Sequence, residues 1–208
     1  MKKLYIVGAG GFGRELHSWI QQHPDFNSAW LFAGFLDDNP DALKAFGNFA
    51  PVLPLSGHQV SSESVYLCGL GSPKVKEKLI SPLIKAGAVF LNFIHPTCVV
   101  GQRVRLGRGV VLCPRVVLTC DIQVGDFCVF NLGSTVGHDV VIGSWSTVSS
   151  HADITGLVEI GEKVFLGSRA SIIPRIKVGR ESTIAAGATV FSNVKEGSTV
   201  AGNPARLI

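Results

Sequence analysis

His138 and Asp139 are adjacent in the chain. An imidazole held by a carboxylate is what a general base needs, because the carboxylate fixes the tautomer and stabilises the cation that forms when the ring takes a proton. Asn131 and Ser134 add polar groups just upstream. The only other histidine in this stretch is His151, once His95 at its entrance is set aside. One chain therefore does not gather three histidines, so a zinc site would need a neighbour's contribution and no metal is expected. The cysteines, Cys68, Cys98, Cys113, Cys120 and Cys128, are odd in number and form no C-x-x-C pair. They read as reduced residues of a cytoplasmic protein.

The element that must position His138 is a hexad repeat. In steps of six from Ile94 to Val190, through Leu112, Phe130, Val148 and Leu166, every residue is aliphatic or Phe. A second column, four residues after the first, runs from Cys98 to Ala188 and is small or β-branched apart from its cysteines. A fixed period of six is the signature of a parallel β-helix. Residues two apart on a strand share a face, so both columns point inward, and the next three positions turn the chain. Glycine most often opens that turn, as at Gly101, Gly125, Gly137 and Gly143, which suggests a slot of positive φ with Asn131 filling it once. Three flat faces close a coil of eighteen residues, giving roughly five to six coils. His138 falls two after Val136 and so sits at a corner. His151, thirteen residues on, belongs to a different corner and could meet His138 only across a subunit interface.

Residues 1–90 read as a separate small Rossmann-like domain in front of a β-helix domain, 91–208, that ends in a tail. Leu4–Val7 is a buried strand, followed by Gly8-Ala9-Gly10-Gly11-Phe12-Gly13 and a helix from Arg14 to about His23. In this context backbone N–H groups and the helix dipole can hold a phosphate. A second strand, Trp30–Leu36, leads to Asp37 and Asp38, which are either acids for a ribose or base, or a polar turn. A third strand, Ser64–Cys68, precedes a helix from Lys74 to about Ala86 with Ser72 as N-cap and Pro73 at its first position. Val89–Leu91 closes the domain as a short strand.

Composition narrows the class further. A chain of 208 residues with 46% hydrophobic and 16% charged residues and mean hydropathy +0.34 is globular. The net charge of +4 is mild, and no aromatic–basic motif suggests nucleic acid. No apolar run is long enough to cross a bilayer, and Met1-Lys2-Lys3-Leu4 enters a strand rather than a signal peptide. Arg103, Arg105, Arg108 and Arg115 form the one basic group, readable as a solvated outer face or as an attraction for phosphates.

Gly8–Glu15, Phe35–Asn39, Ile94-His95-Pro96, Asn131 through Gly137-His138-Asp139, and Ala201–Arg206 together resemble the sugar acyltransferases of the left-handed β-helix superfamily. The similar subfamily holds sialic-acid O-acetyltransferases and N-acetyltransferases of nucleotide-linked 4-amino sugars. The resemblance implies a homotrimer with acetyl-CoA in clefts between subunits; no side chain on the His138 corner is an evident acyl carrier, so direct transfer without an acyl-enzyme is expected. It implies His138 as base, Asp139 as its partner, Gly156 N–H at the thioester oxyanion, and Thr147, Ser168 and Ala186 along acetyl-CoA. Gly10, Gly11, Gly13, Asp37, Asp38, Ser72 and Asn131 would bind the acceptor. Two positions depart from the pattern: Phe12 and Thr147 stand where some members carry histidine. The implied reaction is acetylation of the 4-amino group of a UDP- or dTDP-linked sugar. The alternatives are O-acetylation of a sugar such as sialic acid and, from another class, a metal-dependent hydratase or a scaffold.

Overall fold

The computed structural model describes residues 1–208. From Phe93 onward the chain winds as a parallel β-helix whose two-residue strands pair with those eighteen positions away, as Gln123 pairs with Arg105 and Val141. The first face carries Phe93–Ile94, Val111–Leu112, Val129–Phe130, Thr147–Val148, Phe165–Leu166 and Thr183–Ile184, then Thr199–Ala201 and an antiparallel Arg206–Leu207. The second runs from Val99–Val100 through Thr135–Val136 to Thr189–Val190, and the third from Arg105–Leu106 through Val141–Ile142 to Lys177–Val178. Both hexad columns meet in one continuous core of 27 buried residues, among them Leu112, Phe130, Val148, Val116 and Ala170. Ser134, Ser146 and Ser182 are buried in the small column, and each places its hydroxyl on a backbone carbonyl.

The turn chemistry differs from the expected pattern. The left-handed slot is the third turning position, filled by Arg103, Asp121, Asp139, Trp145, Lys163 and Glu181 among others, and by glycine only at places such as Gly109 and Gly187. The glycines at the first turning position have ordinary φ, and they answer to space. A Cβ at 101 would lie 1.6 Å from the carbonyl oxygen of Thr119 on the next coil, and one at 143 would lie 2.5 Å from the nitrogen of Glu162. Asn131, at that first position, likewise has no positive φ. The coils stack so closely at these corners that a side chain fits only where the corner opens.

The N-terminal domain is a parallel sheet of β1 (Lys2–Val7), β2 (Trp30–Leu36), β3 (Val52–Leu53) and β4 (Ser64–Cys68) in the order β3-β2-β1-β4, with helices α1 (Gly11–Ile20) and α2 (Pro73–Lys85). The second and third expected strands match β2 and β4, and α2 begins at Pro73 after Ser72 as expected, while α1 begins earlier than expected because it starts directly at its glycine turn. Strand β3 and a 3-10 turn, Lys44–Phe46, were not anticipated; Val89–Leu91 contributes only a bridge between Phe90 and Tyr66.

This domain is seated on the first face. Leu4, Ile6, Leu16 and Phe35 share a buried cluster with Phe93, Val111, Cys113 and Val129. Lys76 of α2, fully buried, donates to the carbonyls of Phe127 and Ser146 at 2.9 Å each, and Glu77 pairs with Lys163 at 2.7 Å. In a three-sided coil, the corner between the second and third faces is the one opposite this seat.

Candidate functional site

His138 and Asp139 stand on that opposite corner. Asp139 occupies the left-handed slot at φ 58°, a conformation a short polar side chain tolerates, and this aims its carboxylate back at the preceding residue. Its Oδ2 lies 2.7 Å from His138 Nδ1. A carboxylate can only accept, so in the neutral imidazole Nδ1 carries the hydrogen and Nε2 keeps its lone pair. Both side chains are more than half exposed.

One coil onward the imidazole meets Gly156. A Cβ there would lie 2.7 Å from both Cε1 and Nε2, so the ring lies across the glycine and any side chain would displace it. The N–H of Gly156 donates to no backbone carbonyl of the chain, which leaves it available to a ligand. One coil before the pair, Arg103 grips Asp121 through Nε and through Nη2, the latter at 2.8 Å. The Arg103 hydrogen bond, then the Cys120 thiol, hold the Asp121 carboxyl down at about 2. Arg103, Asp121 and Asp139 are spaced by eighteen, so adding one coil at a time to the sequence would have found this column.

Other expected residues stand elsewhere on the single chain. Asn131, Ser168 and Ala186 lie on the corner between the first and second faces, with Asn131 Oδ1 accepting from Cys113 Sγ at 3.7 Å. His151 is on that corner too, its ring packed over Gly133. Thr147 corrects the expectation of an acetyl-CoA contact. It is 1% exposed under the N-terminal domain, and its hydroxyl donates to the carbonyl of Gly71 at 2.7 Å. No cluster of three His, Cys, Asp or Glu has the geometry to hold a metal ion.

In the N-terminal domain the glycine turn lies at the carboxyl ends of the parallel strands, the position where open α/β sheets bind ligands. Gly13 is required for packing: a Cβ there would lie 2.0 Å from the carbonyl oxygen of Gly8. Gly10 and Gly11 meet no such contact and open α1, whose N-terminus has no side-chain cap. Asp37 ties this turn to the end of β2, accepting from the N–H groups of Ala9 and Asn39 at 2.9 Å each. Asp38 accepts from the backbone N–H and hydroxyl of Ser56, both at 2.7 Å, and the first of these chiefly lowers its pKa. Gly8, Asp37, Asp38, Leu55, Leu70 and Leu79 line one small cleft. Ser72 instead lines a separate groove with Lys163, Phe165, Glu181 and Thr183, between α2 and the first face.

Residues 3–83 match the PglD N-terminal domain, and residues 158–192 match the bacterial transferase hexapeptide model (six repeats). A curated relative, GDP-perosamine N-acetyltransferase of Escherichia coli O157:H7, is 28% identical over 169 residues, spanning 74% of this chain and 71% of that protein. The solved structure of WeeI from Acinetobacter baumannii AYE is 30% identical and superposes over 100% of both chains with a TM-score of 0.89. The acetyltransferase domain of PglB from Neisseria gonorrhoeae FA1090, in complex with acetyl coenzyme A, is 25% identical, with a TM-score of 0.87 over 100% of this chain and 99% of that one.

Proposed function

The chain belongs to the hexapeptide-repeat sugar acetyltransferases that carry a PglD-type N-terminal domain, and from that membership we propose that it moves the acetyl group of acetyl-CoA to the 4-amino group of a nucleotide-linked sugar. The observation that carries the reading is His138: its Nδ1 is committed to Asp139, and its ring lies against Gly156, whose N–H donates to no backbone carbonyl. A neutral amine attacks the thioester carbon while Nε2 takes its proton. The carbonyl oxygen gains charge beside Gly156 N–H, which stabilises it as an oxyanion hole does. The C–S bond then breaks, and the imidazolium returns the proton to the departing CoA sulfur. No acyl-enzyme is needed, because amine and thioester meet directly.

The nucleotide is held at the glycine turn, with Asp37 and Asp38 beside it. That cleft belongs to a domain seated on the first face, whereas His138 occupies the opposite corner, so one chain does not complete the site. A homotrimer with the three second faces gathered at its axis would complete it, bringing the corner of Asn131, His151, Ser168 and Ala186 of one chain towards His138 of the next. The second face and its two corners carry exposed apolar side chains suited to such burial, among them Val99, Leu132, Leu157 and Phe191.

UDP and dTDP are the nucleotides the sequence resemblance implies, while the E. coli relative is named for a GDP sugar. Incubation with acetyl-CoA and UDP-, dTDP- and GDP-linked 4-amino sugars, with free sialic acid alongside, tests the acceptor by product mass. An N-acetylated nucleotide sugar is expected. Acetylation of free sialic acid alone would overturn the reading in favour of O-transfer.

A further inference from the structure

A second feature borders the His138–Asp139 pair on the side away from Gly156. Arg103, Arg105, Asp121, Gln123 and Asp139 line an open cleft of about 530 Å³ with no hydrophobic residue in its walls. Its two carboxylates are already engaged, Asp121 by Arg103 and Asp139 by His138. Arg105, on the third face, forms no salt bridge and is exposed. Arg103 is fixed by its carboxylate partner, so the wall presents one anchored and one unpartnered guanidinium. Such groups match phosphate oxygens through paired N–H donors.

The order of coils decides which ligand reaches this cleft. The thioester is assigned to Gly156, one coil after His138, so the donor occupies that side. The acceptor must then approach from the preceding coils, where the arginines stand. In a nucleotide-linked sugar only the sugar ring separates the reacting amine from the diphosphate. With coils about 5 Å apart, the diphosphate therefore falls within roughly two coils of His138. We propose that the cleft of Arg103 and Arg105 receives the diphosphate of the acceptor from the β-helix side, with Arg105 as its principal contact, while the glycine turn of another chain approaches the same phosphates from across the subunit boundary. This rests on the acceptor reading above, and it makes Arg105 a binding residue rather than a catalytic one.

The test has two arms on the intact protein. In the first, inorganic pyrophosphate is titrated into CoA-saturated protein by calorimetry, for the wild type, Arg105→Ala and, as a control on the corner between the third and first faces, Arg108→Ala, whose side chain pairs with Asp126. Affinity should fall at least tenfold in Arg105→Ala and stay within twofold in Arg108→Ala. Equal binding by wild type and Arg105→Ala would overturn the proposal whatever the acceptor is. In the second arm, steady-state kinetics with the nucleotide-linked amine should show KM for the acceptor raised at least tenfold in Arg105→Ala, KM for acetyl-CoA within twofold, and partial recovery in Arg105→Lys. A rise confined to KM for acetyl-CoA would assign the cleft to the donor and overturn the proposal. Arg105-dependent pyrophosphate binding in a protein that acetylates no nucleotide-linked amine would overturn the acceptor reading itself, leaving the cleft as an anion site of another ligand.

Discussion

At position 156 the absence of one carbon sets the lie of the imidazole. His138 rests across Gly156, so Gly156→Ala should push the ring off its place while leaving the coil folded. Turnover should fall at least tenfold with KM for the acceptor little changed, and a melting temperature close to wild type would separate this from unfolding. Wild-type turnover in Gly156→Ala would show that the ring's position is immaterial. His138 and Asp139 were legible in the sequence because they depart from the repeat. Arg103 and Asp121 were not singled out with them, because a bond across eighteen residues is invisible until the coil length is used as a ruler. Thr147 follows a related rule: the sequence gives distance along the chain, whereas the burial of this side chain depends on a second domain resting upon it.

The hexads predicted the β-helix because each strand's inward residues are repeated without insertion, but the role of the glycines was legible only in three dimensions. They relieve contact between coils, so Gly143→Ala should cost about 1–3 kcal/mol through forced backbone shifts. Gly187→Ala, at positive φ with nothing within 4 Å, should cost only about 1 kcal/mol. Denaturant unfolding of the two variants would check the order, and a greater loss in Gly187→Ala would contradict it. Helix α2 supplies a second prediction at this scale. Burial pushes the Lys76 ammonium down to about 8 from its ordinary 10.5. Between those values the unfolded chain binds more protons than the folded one, so the contribution of Lys76 to stability rises with pH across that window. The nearby Cys68 and Cys128 thiols, which burial raises, act in the opposite sense above their ordinary range. Lys76→Met leaves those thiols in place, so the stability difference between wild type and Lys76→Met should move in favour of the wild type from pH 8 to 10.5. A pH-independent difference would show that Lys76 does not titrate in that window.

For the whole molecule, the glycine turn and His138, the two halves of the proposed site, lie on opposite sides of the coil, a separation no local motif encodes. The change of pattern near residue 90 is legible in the sequence, and the trimer is proposed from the resemblance; which face bears the N-terminal domain is visible only in three dimensions, where Phe93, Val111 and Val129 lie inside its core. Sedimentation should give about three times the 22.1 kDa chain mass. A fully active monomer would contradict the shared site. The most direct test of the account is CoA thiol release with saturating acetyl-CoA and a nucleotide-linked 4-amino sugar, by wild type and by His138→Ala side by side. General-base catalysis is typically worth about 10²–10⁴-fold, so the variant should keep its fold and its oligomeric state and lose at least 10²-fold in turnover. Undiminished thiol release from His138→Ala would contradict the account.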